Sequence, residues 1–398
     1  MKKGSRLKFV PGFVRSIALD ESVRAAWFPF LLTRAIFLIA LLLVSNLTLL
    51  EPSFGGGVQE PEITLQSAGE ANRVRSIIQS SDANWYVDIA REGYERRPFD
   101  NAEQHHWAFF PLYPIVLSIV ARLTGEFPLT GAVLSSLFFF FALVIFHKLC
   151  LAFGLEAPAA GRALFYISAF PTSYFFSLPV TESLFLLLTA GSFLAAKRER
   201  WWVAAALGAL ASATRLNGVV LLPALALLYW RSGRRIRFNF LSLLLIPAGL
   251  LVFMLHLRSL TGNALAFVEA QAAWGRATGL FFYPLYEYVR NYYLVASPWN
   301  FRLLNFAAAI LALVCGAVLL KRREWALAAY CLVQVIIPLS STTLMGMSRY
   351  VMITFPVFMV LAYAGNRERV DQTIRAIFIA LFTLLAVLYA AHFSIAMV

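Results

Sequence analysis

Long apolar runs separated by short charged clusters set the pattern of this chain. Runs of spanning character fall at about 28–50, 128–150, 160–178, 183–196, 201–213, 216–230, 239–257, 301–320, 325–341, 350–364 and 374–396. A helix needs about 20 apolar residues to cross a bilayer, so the shorter runs have loose boundaries. A further run, 107–123, opens "FFPLYP", and its two prolines suit a bent interfacial entry. The longest polar insertions are 51–106 and 258–300, and no sequence repeat or low-complexity tract interrupts the pattern.

Basic clusters orient the runs. Six Lys/Arg precede the first run, and "KRER" (197–200), "RSGRRIR" (231–237), "KRRE" (321–324) and "NRER" (366–369) punctuate later ones. All five fall on the cytoplasmic side only if 107–123 stays at the outer face as a juxtamembrane or re-entrant helix. The pattern thus predicts an all-α polytopic membrane protein of about eleven transmembrane helices, with a cytoplasmic N-terminus and an outer C-terminus. Residues 1–398 read as one integral membrane domain. Within it, 51–127 is an extracytoplasmic loop with juxtamembrane helices, and 258–300 is a second such loop. The N-terminal stretch lacks a short apolar region followed by a small-residue cleavage site, so the first span is expected to remain as an anchor.

Composition agrees. Of 398 residues 60% are hydrophobic and 14% charged, against about 25% charged in soluble domains. The net charge of +13 sits in the short basic clusters, which suit an anionic leaflet and not nucleic acid. Cys150, Cys315 and Cys331 fall in or beside apolar runs without a C-x-x-C, and read as structural.

Against this background residues 51–106 stand out, with ten Asp/Glu against five Arg. In "SSDANWYVDIAREGYERRPFD" (80–100), Ser80 or Ser81 can start a short helix and Gly93 can end it. Asp82, Trp85, Tyr86 and Ile89 then share one face, while Asp88 falls on another, near Glu92 and Glu95. The rings suit the headgroup level and the Asp82 carboxylate a cavity. An ordinary amphipathic helix with solvated acids has the same spacing. In "HHWAFFPLYP", His105 and His106 are candidates for metal or phosphate, or simply surface polar residues; Tyr113 is placed at an interface between two stiffening prolines.

Glu182, in "FPTSYFFSLPVTES" (170–183), lies at the outer start of a run, where a carboxylate needs a cavity or a partner. A helix-start acid favoured by the macrodipole is the plainer alternative. Arg215 in "ATRLNG" and Arg349 in "MGMSRY" are single cations at outer edges. Each can grip a phosphate bidentately or snorkel to headgroups. Arg34 reads as a snorkelling residue near the cytoplasmic end of the first run. Acids for hydroxyl chemistry beside arginines for a phosphate fit a lipid-phosphate sugar donor. There is no P-loop and no strand-linked G-x-G-x-x-G.

The motifs resemble the bacterial relatives of the second GPI mannosyltransferase, the phosphatidylinositol-glycan class V family of GT-C glycosyltransferases. That pattern runs W-D-a-x-W-Y-x-x-I-A-x-x-G-Y, F-F-P-L-Y-P, F-P-t-s-f-F-f-s-x-P-y-T-E-S-L-F, a-x-x-T-R-x-x-G, then s-R-Y with F-P. Here the same order reads "SDANWYVDIAREGY", "FFPLYP", "FPTSYFFSLPVTESLF", "SATRLNG" and "MSRYVMITFP", over about 28–365. Ser81 departs, standing where the family usually has Trp. The resemblance implies a GT-C-like bundle and inverting transfer of mannose from a polyprenyl- or dolichyl-phosphate donor at the outer face. Asp82 would be the general base. Glu182 would orient sugar hydroxyls, and Arg349 with Arg215 would hold the donor phosphate. Trp85, Tyr86, Asp88, His106 and Tyr113 join them as substrate-binding candidates. No metal or other cofactor is expected, though some GT-C enzymes need a divalent cation. The partners implied are the lipid-linked donor, membrane lipids and a glycolipid, polymer or protein acceptor. The plasma membrane is the expected location. A polytopic lipid or glycolipid flippase is the rival from another class; such transporters place polar groups near the midplane, often on inverted repeats.

Overall fold

A computed structural model describes residues 20–47, 70–231, 238–292, 301–393 and 396. Most of the first basic cluster, residues 51–69 of the first loop, "RSGRRIR" beyond Arg231 and residues 293–300 of the second loop lie outside these. In chain order the helices are α1 Glu21–Leu47, α2 Glu70–Ile78, α3 Asp82–Glu92, α4 Leu112–Thr124, α5 Phe127–Ala152, α6 Ala157–Ala169, α7 Glu182–Lys197, α8 Trp201–Ser212, α9 Leu221–Arg231, α10 Ala248–Thr261, α11 Ala266–Glu269, α12 Tyr283–Arg290, α13 Arg302–Lys321, α14 Trp325–Leu339, α15 Met347–Met352, α16 Pro356–Ala364 and α17 Glu368–Ala390. Among the described residues the only β pairing is one antiparallel bridge, Thr278 to Ser341.

Five stretches among the described residues are long and apolar enough to cross a membrane: Glu21–Asn46, Phe127–Ala152, Phe238–Thr261, Arg302–Lys321 and Glu368–Ala390. The third is composite, a 3-10 segment Phe238–Leu245 running into α10 through Pro247. By contrast α4 has 13 residues, about 20 Å of helix against a hydrocarbon core of about 30 Å.

The run 160–178 is not one helix. Phe170 precedes Pro171 and takes φ −55°, ψ 141°, the extended conformation that a following proline imposes. The chain then makes a 3-10 turn, Ser173–Ser177, and resumes as α7 at Glu182. Every residue from Ala163 to Leu186 is buried. Irregular backbone is tolerated at membrane depth only where protein surrounds it and satisfies its polar groups. Part of that work falls to Arg34. Its guanidinium donates to the Ser173 carbonyl at 3.0 Å and to the Ser177 hydroxyl at 3.0 Å, and lies over the Phe139 ring. Arg34 is therefore not a snorkelling residue. The first helix starts at Glu21, which puts Arg34 well inside it, facing the broken segment.

Close backbone approach brings the helices around this segment. Phe139 of α5 stacks on Phe176 at 4.2 Å. At Gly131 of α5 a Cβ would meet the Pro179 Cβ at 2.6 Å. Away from the segment, α10 meets α8 as closely: at Gly249 a Cβ would meet the Ala209 carbonyl oxygen at 2.1 Å. Small residues at such crossings drive helix association where the surrounding lipid offers no hydrophobic advantage.

Candidate active site

Asp82 opens α3, which runs to Glu92 and ends at Gly93, whose φ of 84° needs no Cβ and whose N–H bonds the Ile89 carbonyl. Ser80 does not cap it; its hydroxyl donates to the Ile77 carbonyl at 2.7 Å and meets Tyr389 of α17 at 3.0 Å. Ser81 takes φ 59°, ψ −143°, a conformation uncommon for a residue with a Cβ and one that concentrates at functional sites. The turn fastened to Tyr389 thus aims Asp82 inward.

Four charged side chains from four segments converge. Arg349 of α15 donates from Nη1 to Asp82 Oδ2 at 2.6 Å, and from Nη2 and Nε to Glu182 Oε1 at 2.6 and 3.0 Å. Arg215, at the turn after α8, reaches the same Glu182 oxygen at 2.9 Å and donates to the Thr181 hydroxyl at 3.1 Å. Ring faces complete the cationic ends, with Phe175 4.1 Å from Arg349 and Tyr350 5.0 Å from Arg215. Glu182 is fully buried, whereas the Asp82 side chain is 34% exposed. Glu182 Oε2 is buried with no hydrogen-bond partner among the described residues. Such an atom calls for an explanation, because desolvating it uncompensated is costly.

The aromatic candidates form the wall beside this cluster. Tyr86 is buried near Thr181, and burial keeps its hydroxyl protonated by pushing its pKa well up. Trp85 stacks on Phe109 at 5.5 Å and meets His106 and Trp274 edge-on at 5.3 and 6.0 Å. His106 lies 3.0 Å from Glu95 and beside Asp88. Asp88 is raised above its ordinary value by burial, against the pull of His106 and Arg91. Asp88, on the neighbouring face of α3, and His106, in the 3-10 turn His106–Ala108 beside it, thus stand apart from the arginine cluster.

Tyr113 is placed behind the site, not at an interface. It is fully buried, its hydroxyl donates to the Gly131 carbonyl at 3.0 Å and meets Ser135 at 2.8 Å, and its ring packs edge-on to Tyr86. The two prolines that suggested an interface instead open a short helix wedged against α5. Among the described residues no three His, Cys, Asp or Glu side chains gather in a metal-holding group. All three cysteines are buried free thiols. The sequence pattern assigns no role to Tyr350, Phe175 or Arg276. The first two are apolar-run aromatics whose role shows only once α15 and the broken segment meet.

Comparison with known proteins gives the family. Residues 30–294 match the family described as Mannosyltransferase (PIG-V). Over 152 residues the chain is 32% identical to the GPI alpha-1,6-mannosyltransferase 2 of Cricetulus griseus and to that of Homo sapiens. The match covers 35% of this chain and 29% of each relative, so it spans under a third of their length. Among solved structures the chain is similar to the Archaeoglobus fulgidus oligosaccharyltransferase. The apo form gives a TM-score of 0.45 at 14% identity, over 94% of this chain and 56% of that one. The form tethered to an acceptor peptide gives 0.45 at 14%, over 93% and 55%. The family match takes in Asp82, Glu182 and Arg215 of the cluster, and the chain belongs to the PIG-V mannosyltransferase family.

Proposed function

We propose that this protein is an inverting GT-C mannosyltransferase that uses a polyprenyl-phosphate-mannose donor and an acceptor hydroxyl at the outer face of the plasma membrane. One observation carries this conclusion: Asp82 and Glu182 hang on the single guanidinium of Arg349, one carboxylate partly open and the other sealed. Asp82 Oδ2 is held by Arg349, which orients the carboxylate to take the acceptor proton. The acceptor oxygen then attacks the anomeric carbon as the bond from that carbon to the phosphate oxygen breaks, and the lipid phosphate leaves with the electron pair. The unpartnered Oε2 of Glu182 is sealed as the cluster stands and would accept from a sugar hydroxyl once substrate opens the site. Arg349 and Arg215 fix the carboxylates, and Tyr86 and Trp85 wall the sugar.

With α6 and the broken segment counted together as one crossing, eleven spans with α4 at the outer side would keep the basic clusters cytoplasmic and put α3 outside. No divalent cation is assigned to the reaction, because the carboxylates nearest the site are already bonded by arginine. Transfer in EDTA should match that without it; a loss restored by Mg²⁺ or Mn²⁺ would assign a metal.

The decisive experiment feeds labelled polyprenyl-phosphate mannose to membranes with and without the protein and identifies the product. Protein-dependent mannosylation of an acceptor supports a transferase. Donor that changes leaflet without losing its mannose would make the protein a flippase.

A further inference from the structure

Arg276 lies outside the cluster of Asp82, Glu182, Arg215 and Arg349, in the irregular stretch between Gly275 and α12. The stretch is fastened to the segment before α15: Thr342 N–H donates to the Ala277 carbonyl at 3.0 Å, and Gly279 N–H to the Ser340 carbonyl at 2.7 Å. On the other side Trp274 packs edge-on against Trp85 at 6.0 Å and Phe109 at 5.8 Å. Arg276 therefore sits between the helix that carries Asp82 and the helix that carries Arg349.

Its guanidinium lies beside Gly346, where an added Cβ would come 3.7 Å from Nη2. The Arg349 N–H bonds the Gly346 carbonyl at 3.0 Å, so Arg276 lies beside the chain one turn before Arg349. Arg276 also lies near Tyr350, whose ring faces Arg215. Nη1 has only a long contact of 3.4 Å to Gln271 Oε1. Nε is buried with no hydrogen-bond partner among the described residues.

Charge separates Arg276 from its neighbours. Arg349 commits Nε, Nη1 and Nη2 to carboxylates, and Arg215 is bonded to Glu182. Among the described residues no carboxylate pairs with Arg276. Three guanidinium groups against the two carboxylates Asp82 and Glu182 leave a local excess of one positive charge. Arg276 is half-buried, but its Nε is cut off from solvent and unpartnered, and a bound anion would complete it. The fork geometry of arginine suits a phosphate with two oxygens to offer.

We propose that Arg276, and not Arg349, is the residue that takes the phosphate of the lipid-linked donor, with Tyr350 beside it. The assignment rests on the transferase reading above. It gives Arg349 the work of holding the two acids, and it brings the second outer loop into the site.

The test uses the purified full chain with polyprenyl phosphate, polyprenyl-phosphate mannose and the unphosphorylated polyprenol. In the wild type, polyprenyl phosphate should raise the thermal midpoint and the polyprenol should not. Arg276→Ala should abolish that phosphate-specific shift. It should also raise the KM for the donor on the order of 10–100-fold, the range one charge-assisted contact supplies. Arg276→Lys, which keeps the charge without the fork, should recover part of both. An Arg276→Ala protein with wild-type KM and an undiminished phosphate shift overturns the assignment while leaving the transferase standing. A wild type that neither transfers mannose nor responds to polyprenyl phosphate overturns both.

Discussion

Arg349 donates to Asp82 at 2.6 Å across 267 residues of chain, and this contact sets how the two can be separated by mutation. Asp82 is 34% exposed, so Asp82→Asn keeps an acceptor for Nη1 at little cost to folding. Removing a general base costs typically about 10²–10⁴-fold in rate. Asp82→Asn should therefore insert normally, melt near the wild type and lose transfer by at least about 10²-fold. Radiolabelled mannose transfer in purified membranes measures the loss; full activity would remove Asp82 from the base role.

Glu182 should behave in the opposite sense. It is sealed from solvent and serves both Arg349 and Arg215. Breaking a buried pair by removing one partner typically costs about 3–5 kcal/mol, because the surviving charges stay buried. Glu182→Ala should lower the yield of folded protein and its thermal midpoint in detergent far more than Asp82→Asn. A Glu182→Ala protein as stable as wild type would mean that the two arginines find other partners.

The contrast shows what the sequence made legible. Glu182, Arg215 and Arg349 stand out because isolated charges in an apolar chain need partners, Asp82 because it shares a helix face with Trp85 and Tyr86, and the structure joins all four. The limits of α3 were readable to the residue, although only Gly93 acts as expected: Ser80 turns to Ile77 and Tyr389, and Ser81 makes no side-chain cap bond. Arg276 was not readable, because its stretch has no helical period and its neighbours Gly346 and Tyr350 lie far along the chain. The run 160–178 misled by length. Pro171 and Pro179 carried the signal that it breaks, but only the fold shows Arg34 turned inward to satisfy the break.

Gly131 tests whether that broken segment positions the site. Pro179 is rigid and three residues before Glu182, and a Cβ at Gly131 would come within 2.6 Å of it. Alanine gains up to about 1 kcal/mol of helix propensity, but overpacking typically costs about 1–3 kcal/mol. Gly131→Ala should lower transfer and the thermal midpoint together. Gly161→Ala, where a new Cβ meets nothing within 4 Å, should be neutral or stabilising. Equal behaviour of the two variants would dissociate Pro179 from the site.

Asp88 gives a pH dependence. Burial raises its carboxyl above the ordinary value, with His106 and Arg91 opposing. A carboxyl so raised favours the native state while protonated, and that contribution fades as pH climbs through the raised value. Asp88→Asn should therefore melt above the wild type at pH 7, with the difference closing below about pH 4, where an unfolded aspartate is also protonated. Melting curves of both proteins between pH 4 and 7 test this; a gap that widens toward acid reverses the sign.

The side of the membrane on which α3 and α4 lie decides whether the donor is met outside the cell. Cys150, Cys315 and Cys331 are buried, so the native thiols should stay silent toward an impermeant reagent. A single new cysteine then reports its own side. Leu123 is 85% exposed near the end of α4, next to the turn at Gly125. Arg198, in the basic cluster after α7, is the matching position for the opposite face. In intact cells Leu123→Cys should label from outside, while Arg198→Cys should label only after the membrane is opened. The reverse pattern would put Asp82 on the cytoplasmic side, where an outer-face acceptor cannot reach it.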